Sequence, residues 1–81
     1  MRLKIVTREK LILDQEVSSI TLPGTEGQMT ILPTHTAMVA TLKKGKVLGY
    51  EIEGGFVEVL KDQVLVISKT GQTLAKDRES H

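Results

Sequence analysis

Apolar residues recur at alternate positions in short bursts along this chain, and each burst ends in residues suited to turns. Leu3, Ile5 and Thr7 alternate with Lys4 and Val6, which predicts a first strand with one face more apolar than the other. Glu9-Lys10 then suit an exposed turn. Residues 11–13 and 17–22 predict a second long strand or two shorter ones, with Asp14-Gln15-Glu16 between them. Val17 is out of step with Ile20 and Leu22, so a bulge or break is expected near Ser18-Ser19. Leu22-Pro23-Gly24-Thr25 has the chemistry of a type II turn, because proline presets φ near −65° and glycine tolerates φ > 0. Gly27 marks a second bend, and Pro33 stops the apolar strand 29–32 because it can neither continue a ladder nor let the preceding residue turn helical.

The second half has the same character. Residues 37–42 satisfy both helical and strand spacing; their shortness, their place between Pro33 and Gly45, and the Val and Thr among them favour a strand. Lys43-Lys44-Gly45-Lys46 suggests a hairpin turn. Leu48, Tyr50 and Ile52 make an apolar face against Val47, Gly49 and Glu51, as in one continuous strand. Gly54-Gly55 precedes the strand 56–59, where two glycines allow a bulge or a close backbone approach. A tight turn at 60–63 leads to the strand 64–67. From Thr70-Gly71 onward the chain is polar, with a short last strand expected at 72–74 and a frayed end. The prediction is an all-β protein, a small β-sandwich of about eight to ten short strands in two sheets, with residues 1–72 forming the sandwich and 73–81 a polar tail.

Composition narrows the function. The chain has 81 residues, no cysteine, and only Phe56 and Tyr50 as aromatic residues. A domain this small buries about 60 to 65% of its unfolded surface, so its stability should be modest, with docking onto a partner a natural supplement. Absence of cysteine excludes disulfides and thiolate zinc sites, and fits a reducing compartment. Eleven basic and ten acidic residues give a formal net charge of +1, too little to steer the chain onto nucleic acid. Apolar runs such as 64–67 fall far short of the roughly 20 residues of a membrane span. The amino terminus lacks the apolar region of a signal peptide.

Catalytic chemistry finds little material. Ser18 or Ser68, His35, and Asp14 or Asp62 could be drawn together on paper, but no nucleophile-elbow pattern surrounds either serine. His35 has no His or Cys partner at ligand spacing, which argues against a metal site. Gly24-Thr25-Glu26-Gly27 lacks the Lys-Ser/Thr of a phosphate loop, and Glu26 would repel phosphate. No cofactor is expected. Lys43, Lys44 and Lys46 could touch an anionic surface, although a solvated turn or a guard against edge pairing is the plainer reading. Lys61, on a predicted hairpin turn, would be the modified lysine of a lipoyl or biotinyl carrier domain, yet Asp62 follows it where carriers have an apolar residue or alanine.

The most constrained segment is LPGTEGQMTILPTH, residues 22–35. Together with LKIVT at 3–7, the V-x-x-I-T-L-P-G run at 17–24, GGFVEV at 54–59 and VLVI at 64–67, it resembles the amino-terminal β-sandwich domain of the F-type ATP synthase epsilon subunit, over about residues 2–70. The resemblance implies a non-catalytic rotor subunit of the central stalk that docks on the gamma subunit and the c-ring and couples proton or sodium flow to ATP synthesis. It implies a peripheral position at the cytoplasmic face of the bacterial inner membrane. Glu26, Gly27, Gln28, Met29 and Thr30 match the family's c-ring-facing loop; His35, Thr36, Met38 and Thr7 match the gamma-facing region.

Three departures qualify the match. Pro33-Thr34-His35-Thr36-Ala37-Met38 stands where the family has Pro-Gly-His-Ala-Pro-Leu, so the backbone path near His35 is expected to differ. The stretch 45–54 is several residues short, which suggests a trimmed hairpin. The carboxyl-terminal helical pair is missing, so the inhibition and ATP sensing attributed to that hairpin are not expected of this chain. Met1 and the polar ending fit a natural short chain, and a piece cut from a longer chain is the alternative.

Overall fold

A computed structural model describes residues 1–33, 36–69 and 71–73. Ten strands make up the described residues, with no helix among them. They are β1 (Arg2–Val6), β2 (Leu11–Glu16), β3 (Ile20–Gly24), β4 (Gly27–Ile31), β5 (Met38–Leu42), β6 (Gly45–Val47), β7 (Tyr50–Ile52), β8 (Gly55–Leu60), β9 (Gln63–Ser68) and β10 (Gly71–Thr73). Seven form one sheet in the order β2-β1-β9-β8-β5-β3-β4, and three form a second in the order β10-β7-β6. The expected all-β, two-sheet architecture is what the structure shows.

Alternation along the strands sorts the side chains. Leu3 and Ile5 of β1, Val57 and Val59 of β8, and Val64 and Val66 of β9 are buried together with Leu22, Ile31 and Leu42. Val47 and Ile52 from the small sheet complete the same cluster, so the core lies where the two sheets face one another. β1 and β9 pair in parallel, Arg2 opposite Gln63 through Val6 opposite Ile67; β8–β9 and β5–β8 are antiparallel. Apolar side chains from non-neighbouring parts of the sequence thereby meet without any helix to cover them.

Five local expectations are corrected. Pro23 and Gly24 lie inside β3 and are buried; the turn is Thr25-Glu26, and the positive φ belongs to Gly27 at +127°. Proline is tolerated there because the β3–β5 pairing is confined to Gly24 and Leu42, so the N–H that the ring lacks falls past the end of that ladder; the Pro23 carbonyl still accepts from Lys43 N–H at 2.9 Å. Asp14-Gln15-Glu16 belong to β2, where Arg2, Leu3 and Lys4 pair with them. Residues 43–46 do not close a hairpin: β5 and β6 lie in different sheets, and the chain crosses between them. Val47 to Ile52 is not one strand but a tight hairpin, turning at Leu48 (φ 50°) and Gly49 (φ 82°). The last strand is Gly71–Thr73, and Leu74 falls outside the described residues. The break near Ser18-Ser19 and the turn at Lys61-Asp62 are where the sequence places them.

Gly54-Gly55 does what two glycines permit. Gly55 has φ +144°, and a Cβ built on it would lie 2.0 Å from the Ile67 carbonyl oxygen. The backbones of β8 and β9 therefore approach more closely than any side chain allows.

Candidate docking site

The β3–β4 hairpin carries most of the residues expected to face a partner. Gly24 pairs with Gly27 and Pro23 with Gln28, which places Thr25 and Glu26 at the tip. Glu26, Gly27, Gln28 and Thr30 are exposed, whereas Met29 is half-buried and packs against the core. The tip is tied down: Thr25 N–H donates to the Thr41 carbonyl at 3.1 Å, and the Thr25 and Thr41 hydroxyls bond at 2.8 Å. Along the hairpin, the hydroxyls of Thr21 and Thr30 lie 3.3 Å apart. Beside the tip is an open groove of about 580 Å³, walled by residues 24–29, by Val39 and Thr41 of β5, and by Phe56 of β8.

That groove opens onto the outer face of the large sheet. Side chains on this face alternate with those of the core, and several are apolar where solvent would favour polar ones. Val6 pairs with Leu11 and with Ile67, Ile67 with Phe56, and Phe56 with Thr41, so one register row runs across five strands. Leu11 is 54% exposed, Phe56 52% and Ile67 39%; Val39, two residues before Thr41 on the same face of β5, is 69% exposed. Single exposed apolar residues are ordinary, but a cross-strand row of them marks a surface suited to burial against a partner. Nothing along the chain announces this row, because Leu11, Phe56 and Ile67 become neighbours only through strand pairing.

The described residues expected to face gamma are not brought together. Thr7 follows β1 and closes the β1–β2 turn: its N–H donates to the Lys10 carbonyl at 2.9 Å, and its Oγ1 accepts from the N–H groups of Glu9 and Lys10 at 3.3 Å each. Met38 begins β5 opposite Val59, at the other end of the sheet and three strands away. It is half-buried against the core, and Thr36 is exposed. His35 and Thr34 lie outside the described residues. Among the described residues no cluster of three His, Cys, Asp or Glu could hold a metal ion.

Comparison with known proteins agrees with the fold. The ATP synthase epsilon chain of Herpetosiphon aurantiacus is 34% identical over 80 residues, covering 89% of this chain and 59% of its own length. That of Desulfatibacillum aliphaticivorans is 37% identical over 79 residues, covering 86% of this chain and 56% of its own. A chain in the structure of the Euglena gracilis mitochondrial ATP synthase, comprising OSCP, F1 and c-ring, superposes with a TM-score of 0.78 at 31% identity, over 96% of this chain and 56% of that one. A chain of the Tetrahymena thermophila mitochondrial enzyme, from its central stalk and c-ring, shares the fold with a TM-score of 0.72 at 19% identity, over 88% of this chain and 64% of that one. This chain thus spans less than two thirds of the length of each of these relatives. Residues 1–73 match the family model for the ATP synthase Delta/Epsilon chain beta-sandwich domain, and with ten strands in two sheets and an ordered β3–β4 hairpin the chain belongs to that family.

Proposed function

We propose that this chain is a non-catalytic subunit of the central stalk of an F-type ATP synthase, docking on the gamma subunit and the c-ring so that ion flow is coupled to ATP synthesis. The apolar row on the outer sheet face carries the reading: a protein that works by being gripped needs an apolar surface that is wet only while it is alone. Gamma would cover Leu11, Ile67, Phe56 and Val39. The hairpin tip, with Glu26 and Gln28 exposed, would meet the polar loops of the c-ring. Its ties to Thr41 suit it to a contact that must transmit force without yielding. The coupling ion is a proton or sodium. The domain of this function is residues 1–72, and its place is the cytoplasmic face of the bacterial inner membrane, held there through the complex; no helix among the described residues is long and apolar enough to cross a bilayer.

The carrier reading of Lys61 loses its footing. Lys61 does sit exposed at the β8–β9 turn, with φ 23°. The family match over residues 1–73, however, takes in the whole of that hairpin. A pull-down with gamma and c-ring from one organism tests the rotor reading. Phe56→Glu should abolish capture by gamma while leaving c-ring binding, and a bulky charged residue at Gln28 should do the reverse. Absence of gamma binding by the unaltered chain at micromolar concentration would end the proposal.

A further inference from the structure

Cationic side chains gather at one end of the large sheet, although the sequence scatters them. Val6, Ile67, Phe56 and Thr41 share one register row, so the segments that leave the sheet just beyond it all emerge at the same end. These segments carry Arg8 and Lys10 after β1, Lys43 and Lys44 after β5, and Lys69 after β9. All five are exposed, and none of them has an ion-pair partner among the described residues. Backbone bonds hold the segments in place: Thr7 N–H to the Lys10 carbonyl at 2.9 Å, Lys43 N–H to the Pro23 carbonyl at 2.9 Å, and Lys69 N–H to the Gly54 carbonyl at 3.2 Å.

Glu9, Glu26 and Glu53 share this end, so among the described residues the cations exceed the carboxylates by two. At the opposite end the charges neutralise one another. The Met1 ammonium pairs with Glu16 and Asp62, and Arg2 pairs with Asp14 and Glu16. Among the described residues, then, one end has charges that are paired, Lys61 apart, and the other has unpaired positive charge. Edge guarding does not explain the latter, because these lysines lie beyond strand ends and not along the open edges of β2 and β4.

We infer that this end is an auxiliary contact for anionic lipid headgroups. Four of the five cations are lysines, which are flexible point charges without the fork that reads a single carboxylate; spread over three loops, they fit a diffuse anionic surface better than a shaped acidic pocket. An excess of two charges gives weak attraction alone. Its use is to favour one orientation once another contact has brought the protein to the membrane. The inference rests on the rotor reading only for that other contact.

The test is co-sedimentation of this chain with phosphatidylcholine vesicles, with and without about 30% phosphatidylglycerol, at low ionic strength. Binding should require the anionic lipid and fade as salt shortens the Debye length. Lys43→Gln with Lys44→Gln should weaken it about tenfold, while the charge-matched pair Lys4→Gln with Lys61→Gln should weaken it no more than about threefold. All four lysines are solvent-accessible, and matching circular dichroism and melting would show that the fold is intact. No binding to anionic vesicles, equal binding to neutral ones, or equal loss in both pairs would overturn the inference. So would a loss of c-ring capture in wholly neutral nanodiscs on changing Lys43 and Lys44, which would make the partner an acidic protein. Failure of gamma to bind would sink the rotor reading and leave the vesicle result standing.

Discussion

Gly55 shows how little latitude a single position can have. A Cβ there would press within 2.0 Å of the Ile67 carbonyl oxygen at a φ of +144°, so neither a rotamer change nor a small shift relieves it. Gly55→Ala should destabilise by at least about 2 kcal/mol, read as a lower urea midpoint at unchanged m-value. Leu48 shows the opposite case. It holds φ 50° beside Gly49 at 82°, the pairing of signs found in type I′ turns, although leucine strains there and asparagine does not. Its side chain is 45% exposed, so replacing it sacrifices little burial. Leu48→Asn should stabilise by about 0.5 to 1 kcal/mol, visible as a higher melting temperature. The doublet Gly54-Gly55 could be flagged from sequence, since only a backbone requirement accounts for two adjacent glycines before a Val-rich strand. The turn at Leu48 could not, because leucine carries no turn signal and the alternation of its neighbours mimics a longer strand.

At the scale of elements, the β3–β4 hairpin depends on contacts with β5, the next strand along the chain. β3 and β5 pair in the sheet only at Gly24 and Leu42, so the bonds from Thr25 to Thr41 and from Lys43 to Pro23 supply most of the attachment between them. Thr41→Val keeps the shape and removes the hydroxyl. It should cost about 0.5 to 1 kcal/mol, near the low end for a hydrogen bond because both threonines are exposed. Amides at the hairpin tip should exchange faster, while those of β1 and β9 should be unaffected. This attachment also explains two displaced elements. Pro23-Gly24 has turn chemistry in isolation, yet pairing with Gln28 and Gly27 moves the turn on to Thr25-Glu26. The lysine-rich stretch has hairpin chemistry in isolation, yet Gly45 is needed where a Cβ would meet the Pro23 ring at 2.8 Å, and the chain passes to the second sheet there.

For the whole molecule, charge at the β1–β2 seam sets a pH window. A hydrogen bond from Arg2 holds the Asp14 carboxyl below its ordinary 3.8, and one from the amino terminus holds Glu16 below its ordinary 4.5. A hydrogen bond to Glu16 raises the Met1 ammonium above its ordinary 8.0. The carboxylates therefore contribute stability that is fully present above their unfolded values and is lost as pH falls through the lower folded ones. The ammonium's share is fully present below 8.0 and is lost as pH rises through its folded value. Arg2→Gln should lower the melting temperature at neutral pH, and the gap from the unaltered chain should close as Asp14 is protonated, which melts down to about pH 2 would reveal. The all-β class, the strand β1, the break at Ser18-Ser19 and the turn at Lys61-Asp62 were settled by the sequence alone. Side-chain alternation and turn chemistry are local, and local chemistry can be read along the chain. The motifs of residues 22–35 also pointed to the family. Only the tertiary structure decided the rest: the passage of residues 43–46 between sheets, the apolar row from Leu11 to Phe56, the distance between Thr7 and Met38, and the gathering of Arg8, Lys10, Lys43, Lys44 and Lys69 at one end. Each depends on which strands pair and in which register, a choice made by burying Val, Ile and Leu from distant segments in one core, and no short window of sequence contains it.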